Sequence, residues 1–156
     1  MLIRRAEISD IPEILRLLVQ VCNVHQDIRP DIFQRNGVKY TESDLKELLA
    51  DERRPVWCAV EEGTFLGYCF CQWEEYHDSS VMIDRRELYI DDLCVDEAAR
   101  GKGVATALFR YVTDTAKAAG ANFITLNVWQ GNSALDFYEK MGMKPRKVFM
   151  DLPLED

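Results

Sequence analysis

The chain has 156 residues, 47% hydrophobic and 29% charged, with a formal net charge of −8. That length suits one domain over residues 1–156 with a core of its own, and the acidic balance argues against nucleic acid, which asks for a basic patch. Met1 to Glu7 has no apolar run behind its charges and no stretch reaches the length of a membrane span, so neither a leader nor a membrane partner is expected; five cysteines, odd in number and set in apolar patterns, fit a reduced cytoplasm.

In chain order, residues 2–6 read as a strand. Asp10-Ile11-Pro12-Glu13 opens a helix, proline being tolerated in the first turn. Ile11, Ile14, Leu15, Leu18, Val21 and Cys22 mark its apolar face at helical spacing. Arg29-Pro30 ends any continuation, and Val24 to Tyr40 is expected as a loop or broken helix. Residues 43–50 predict a shorter helix. Val56 to Glu61 and Phe65 to Tyr76 are β-rich runs around Glu62-Gly63-Thr64, which makes a hairpin. Leu88 to Val95 is the next strand. Val104, Leu108, Tyr111, Val112, Ala116 and Ala119 trace a helix stopped by Gly120. Phe123 to Val128 is a strand, and the helix before it implies a right-handed crossover to a parallel neighbour. A helix over Asn132 to Met141 and a final strand, Arg146 to Leu152, complete an α+β fold: a mixed sheet, mostly antiparallel with one parallel step between the fourth and fifth strands, flanked by helices on both faces.

Two segments carry chemistry. The first runs from Leu88 through Asp91, Asp92, Leu93, Cys94 and Val95 into Arg100-Gly101-Lys102-Gly103-Val104-Ala105-Thr106, which is strand, tight loop, helix. Two glycines one residue apart let a ligand come close to the backbone, and the first amides of the helix have no intrahelical acceptors, so they suit a phosphate. A Walker A loop is absent, because Lys102 lies between the glycines and Val104 follows Gly103. The dinucleotide fingerprint is absent too, because Thr106 and Thr125-Leu126-Asn127 stand where its third glycine and ribose-binding carboxylate belong. The second segment is Asn132-Ser133-Ala134-Leu135-Asp136-Phe137-Tyr138-Glu139-Lys140-Met141-Gly142. Asn132 reads as an N-cap, and Gly142 as a left-handed close. Tyr138 shares a helix face with Ala134, as a half-buried core tyrosine or as a pocket residue.

Together these segments resemble the GNAT superfamily of N-acetyltransferases. Arg100 to Ala105 is similar to its Arg/Gln-x-x-Gly-x-Gly/Ala loop, and Asn132 to Met143 to its Asn-x-x-Ala-x-x-Phe-Tyr-x-x-x-Gly-Phe element, with one residue fewer between Asn132 and Ala134 and with Met143 in the place of the last aromatic. The resemblance implies acetyl-CoA as co-substrate, with Arg100 to Thr106 on the pyrophosphate and Leu93, Cys94 and Val95 on the pantetheine arm. Asn127, Asn132, Ala134 and Tyr138 would surround the arm and sulfur. It also implies transfer of the acetyl group to a primary amine of a small molecule (a polyamine, an amino acid or an aminoglycoside-like compound) or of a peptide, and many members of the family are homodimers.

Amine acetylation needs a base, since an alkylammonium loses its proton only near pH ~10. Asp91 and Asp92 are the candidates, and strand alternation turns them to opposite sides unless a bulge, common at this place in the family, intervenes. Tyr138 is the candidate acid for the leaving thiolate. Cys94 is placed as pocket lining rather than nucleophile, having no histidine near it in sequence. His25, Arg29, Phe33, Glu74 and Trp129 are the candidate acceptor residues. Cys69 and Cys71 form only half of a metal site, with no second pair and only His25 and His77 as histidines, so no metal is expected. A non-catalytic acetyl-CoA sensor or regulatory module is the competing reading.

Overall fold

A computed structural model describes residues 1–155. The chain opens with β1 (Leu2–Arg5) and a 3-10 turn at Ile8–Asp10. Asp10 is buried there, bonded to the Arg4 guanidinium at 2.7 and 3.0 Å and to the Glu7 amide at 2.7 Å. This knot starts α1 (Ile11–Ile28) with Pro12 in its first turn, and the helix buries Ile11, Ile14, Leu17 and Leu18. The helix reaches Ile28, six residues beyond the last apolar position of the sequence pattern, so the break expected from Val24 falls at Arg29 instead. There the backbone leaves the helical region (φ −132°, ψ 74°), as the residue before a proline tends to. After a turn-rich stretch, α2 (Glu42–Leu49) is closed by a capping box between Thr41 and Asp44.

The hairpin forms from β2 (Val56–Glu61) and β3 (Thr64–Tyr76), and β4 (Arg85–Val95) follows. Next come α3 (Val104–Ala118), β5 (Phe123–Leu126) and α4 (Ala134–Lys140). The five strands lie in sequence order, antiparallel except for the parallel β4–β5 pair. Alternating side chains divide the core. Tyr68, Phe70, Cys58 and Cys94 pack against α1 and α2, whereas Ala59, Cys69, Leu88 and Ile90 pack with Leu108, Phe109 and Val112 of α3 and Tyr138 of α4.

Two departures bear on the site. Register passes from Phe70–Asp92 to Cys71–Ile90, so Asp91 is an extra residue on β4, a bulge. And β5 pairs only with Glu87 to Ile90, leaving β4 beyond Ile90 without a neighbour on that side. The strand expected at Arg146 to Leu152 does not form. Among the described residues, none from 144 to 155 makes a backbone–backbone hydrogen bond, and Val148, Phe149, Met150, Leu152 and Leu154 are exposed. An alternating apolar run needs a neighbouring strand, and within one copy of the chain this run has none.

Candidate active site

The glycine loop is built before the helix it serves. Asp96 accepts from the Ala98 amide at 3.2 Å and is held by Arg16 (2.5 Å) and Gln20 (3.3 Å) of α1, while Gln20 also accepts from the Glu97 amide. The Arg16 guanidinium holds the Asp96 carboxyl down at about 2. So α1 fixes the residues just ahead of the turn. Gly101 (φ +78°) and Gly103 (φ +79°) then bend in the left-handed region that favours glycine, with open space where a Cβ would stand. No side chain caps α3, so the Val104, Ala105 and Thr106 amides face outward with no acceptor of their own. They border a cavity of about 240 Å³ together with Val95, Arg100, Gly101, Gly103 and Phe137. The cradle fits a diphosphate: bare amides, a helix N-terminus, open space and one arginine. The side chain of Lys102 is not among the walls.

A second cavity, about 580 Å³, opens where β4 and β5 part. Leu93, Leu126, Asn127, Val128, Asn132, Ala134 and Tyr138 form one wall, and the turn-rich stretch after α1 forms another through Ile32, Phe33, Gln34, Val38 and Lys39. Asp91 and Asp92 both reach it, because the bulge undoes the alternation that sends neighbouring residues to opposite faces. Their surroundings differ. Asp91 accepts from the Lys39 ammonium at 2.7 Å and the Tyr40 hydroxyl at 3.1 Å. Asp92 accepts from the Tyr68 hydroxyl at 2.6 Å, and burial raises its carboxyl to about 6, against the lowering pull of that bond, of the Lys39 charge and of the Leu93 amide. Burial alone would lower the Lys39 ammonium, but its bond and charge pairing with Asp91 leave it raised.

Tyr138 is 8% exposed, packed between Phe109 and Phe137 with its hydroxyl bonded to no other described residue. Burial first, then its neighbours Cys69, Asp92 and Cys94, keep it protonated well above the ordinary phenol range. Asn127 donates to the Tyr89 hydroxyl at 3.1 Å, and Asn132 accepts from the Ala134 amide at 2.9 Å. Asn132 therefore lies one residue ahead of the true N-cap, Ser133.

His25, Phe33 and Trp129 come together as an aromatic group, with His25–Phe33 centroids 5.0 Å and Phe33–Trp129 centroids 5.1 Å apart. All three line the larger cavity. Arg29 does not, being bonded to Asp31 and Asp151. Nor does Glu74, a half-buried residue hydrogen-bonded to Tyr76. The Cys94 thiol points away from both cavities toward the Leu17 carbonyl of α1. Lys39, Tyr40 and Tyr68 join the site unannounced by any motif. Only Tyr68 had a usable signal, since hairpin pairing sets it opposite Cys94, two positions from Asp92. Among the described residues no group of three His, Cys, Asp or Glu side chains is placed to hold a metal ion.

A sheet opened at its parallel step, with an amide-lined glycine turn at the mouth of the gap, is the build of one protein class, and the comparisons agree. Residues 18–143 match the model of the acetyltransferase (GNAT) family, and the chain belongs to that family. It is similar to a mutant of the BH1408 protein from Bacillus halodurans, at 33% identity and TM-score 0.95 over 99% of this chain and 100% of that one. It shares its fold with an aminoglycoside acetyltransferase from an uncultured soil metagenomic sample (22% identity, TM-score 0.71, covering 98% and 97%). The same holds for glucosamine-6-phosphate N-acetyltransferase from Arabidopsis thaliana (20% identity, TM-score 0.72, covering 99% and 98%). A segment of 57 residues, 36% of this chain, is 35% identical to GCN5-related N-acetyltransferase 6, chloroplastic, from Arabidopsis thaliana, and spans 20% of that relative's length.

Proposed function

We propose that this chain acetylates a primary amine, of a small molecule or a peptide, with acetyl-CoA as the donor, in the cytoplasm. The observation that carries the reading is the meeting of two carboxylates and a protonated tyrosine in the cavity next to the amide cradle. The Val104, Ala105 and Thr106 amides with Arg100 hold the diphosphate, the unpaired length of β4 with Asn127, Asn132 and Ala134 lies along the arm, and bound acetyl-CoA supplies the activated acetyl group. Asp92 is the base. A carboxyl at about 6 is ionised at neutral pH yet basic enough to take a proton from an ammonium, directly or through water. Asp91 is the anchor for that ammonium, since it already holds one, the Lys39 side chain, at hydrogen-bond distance. Tyr138 keeps the proton that the departing sulfur requires.

All five cysteines are free, as a reducing compartment keeps them. The aromatic group of His25, Phe33 and Trp129 favours an acceptor with an apolar or flat body behind its amine. The test is release of free thiol from acetyl-CoA across an amine panel holding polyamines, amino acids, aminoglycosides and lysine peptides, with mass spectrometry of the product. Tyr138→Phe is expected to lower kcat by roughly 10²-fold at saturating acceptor. Full turnover by that variant would remove the acid role. Binding of acetyl-CoA with no thiol release on any amine would favour a sensor.

A further inference from the structure

One primary amine already stands inside the larger cavity. Among the described residues that line it, Lys39 is the only lysine or arginine, and its ammonium lies 2.7 Å from Asp91, with Asp92 the next residue along. Tyr138 faces the same space from another wall. The strap that carries Lys39, between α1 and α2, is fastened on both sides of it. Asn36 donates its main-chain amide to the Asn23 side chain of α1 at 2.7 Å and accepts from it at 3.0 Å, and the Cys22 thiol donates to the Gln34 carbonyl at 3.2 Å. Gly37 lets the strap press on α1, since a Cβ there would come within 2.9 Å of the Cys22 sulfur. Beyond Lys39, the Tyr40 hydroxyl bonds Asp91 at 3.1 Å and its ring packs on Phe70, with centroids 5.7 Å apart. Only Gly37, Val38 and Lys39 lie between the two fastenings, so the strap delivers the amine to the carboxylates. As a strut the pair is poor, because the Lys39 side chain is about half exposed and an ion pair open to water is weak. As an acceptor the arrangement is complete: an ammonium on its anchor, a base beside it and an acid across the cavity.

We propose that the chain acetylates its own Lys39, within one copy and once per chain, and that this modification clears Asp91 for the external amine. The proposal rests on the acetyl-transfer reading of this site and extends it to an acceptor inside the chain. The Lys39 nitrogen gives one proton to Asp92 and forms a C–N bond to the acetyl carbon as the C–S bond of acetyl-CoA breaks. Its second proton restores the one that Tyr138 passes to the departing sulfur, and the proton on Asp92 leaves to water. The product is an acetamide, which is neutral and makes no ion pair with Asp91, so an incoming ammonium no longer has to displace a resident one. The reaction stops by itself, because no other amine lines the cavity among the described residues. Uncatalysed acetylation has a different preference, for amines that shed a proton easily. Burial pulls Lys39 that way, but the bond and charge of Asp91 leave its ammonium raised. Exposed Lys46 and Lys117 carry no such restraint from a cavity carboxylate, so acetyl on Lys39 ahead of them requires the site's own base.

The experiment incubates the full chain with acetyl-CoA and no amine, and follows free thiol, intact mass and the modified peptide. The expected result is a burst of one thiol per chain and a mass gain of one acetyl group at Lys39, counting any acetyl that the purified chain already carries there. Modification of Lys39 is expected to be at least roughly tenfold faster than that of Lys46 or Lys117, at a rate per chain that dilution does not change. Lys39→Arg keeps a cation for Asp91 and is expected to show no burst. Prior incubation with acetyl-CoA should lower the parent's KM for a cationic amine several-fold and leave that of Lys39→Arg where it was. Thiol release on the amine panel with Lys39 unmodified overturns this proposal and leaves amine acetylation standing, whereas no thiol release with or without amine overturns both. Lys39 modified no faster than Lys46 and Lys117, or equally fast in Asp92→Asn, marks uncatalysed chemistry and overturns the proposal. A rate per chain that falls on dilution overturns it as well, since one copy would then act on another. The unmodified chain decides the matter even where a variant fails to fold.

Discussion

At the scale of the residue, the site turns on two adjacent carboxylates that the fold treats differently. With Asp92 at about 6, the low-pH limb of kcat/KM is expected to rise with an apparent pKa close to that value. Tyr68→Phe removes a bond that favours the ionised form, so the limb moves up, by roughly half to one pH unit. An unshifted limb in Tyr68→Phe would assign the titration to another group. The same burial sets a trade between stability and activity. The unfolded chain ionises Asp92 near pH ~4 and the folded chain near 6, so the fold loses stability as pH climbs through that window and does not recover it above. Asp92→Asn is accordingly expected to be inactive and more stable than the parent at pH 7.5, with the gain shrinking at pH 5, as thermal unfolding at both values reads out. Lys39 is separable from both. An acceptor ammonium must displace it from Asp91, so Lys39→Ala is expected to lower KM for a cationic amine several-fold with kcat little changed. A raised KM would instead make Lys39 a binding group for an anionic part of the acceptor.

At the scale of the element, the glycine turn depends on a helix far away in sequence. Asp96→Asn unties Arg16 from the turn, and is expected to raise KM for acetyl-CoA while leaving kcat near the parent value. It also removes a low-pKa carboxylate. That ion pair stabilises the fold above pH ~4 and loses its effect as pH falls toward 2, so parent and variant unfolding curves should converge in acid. Elements were legible where a local rule governs them. The Glu62-Gly63 hairpin turn, the left-handed Gly142 and the parallel β4–β5 step all followed from turn chemistry and periodicity, whereas the Thr41 capping box was not read from the sequence. The Gly101 and Gly103 bends and the Tyr138 face were legible from spacing and the family likeness, whereas alternation turned Asp91 and Asp92 apart and the bulge brings both to one cavity. The Lys39 and Tyr40 contacts were not legible, because they join segments 51 and 52 positions apart with no pattern in either segment, and the Tyr68 contact was signalled only through the pairing of β3 with β4. Arg29 and Glu74 misled for the opposite reason: residue type fits an acceptor site, but each is occupied by a neighbour at the surface. The run from Arg146 to Leu152 reads as a strand locally, and strand formation is a property of pairs.

At the scale of the whole molecule, the sheet divides two apolar layers, and the helices that complete the site belong to different ones. Residues of α1 and the stretch after it supply His25, Phe33 and Lys39, while α4 supplies Tyr138. Side chains from opposite sides of one sheet thus meet where that sheet parts. From Asp91 to Val95 the amides and carbonyls of β4 on the β5 side face a gap instead of a fifth strand. A ligand arm built of amides can take the place of the missing neighbour and knit the two layers together. Acetyl-CoA at 100 times its Kd should then add ~2.7 kcal/mol to unfolding, and the slowing of hydrogen exchange should reach α1 and α4 alike. Protection confined to the glycine turn would show the phosphates held and the arm loose. The separation of β4 from β5 leaves a seam in the architecture, and an arm of that chemistry laid in the gap would be the thread that closes it.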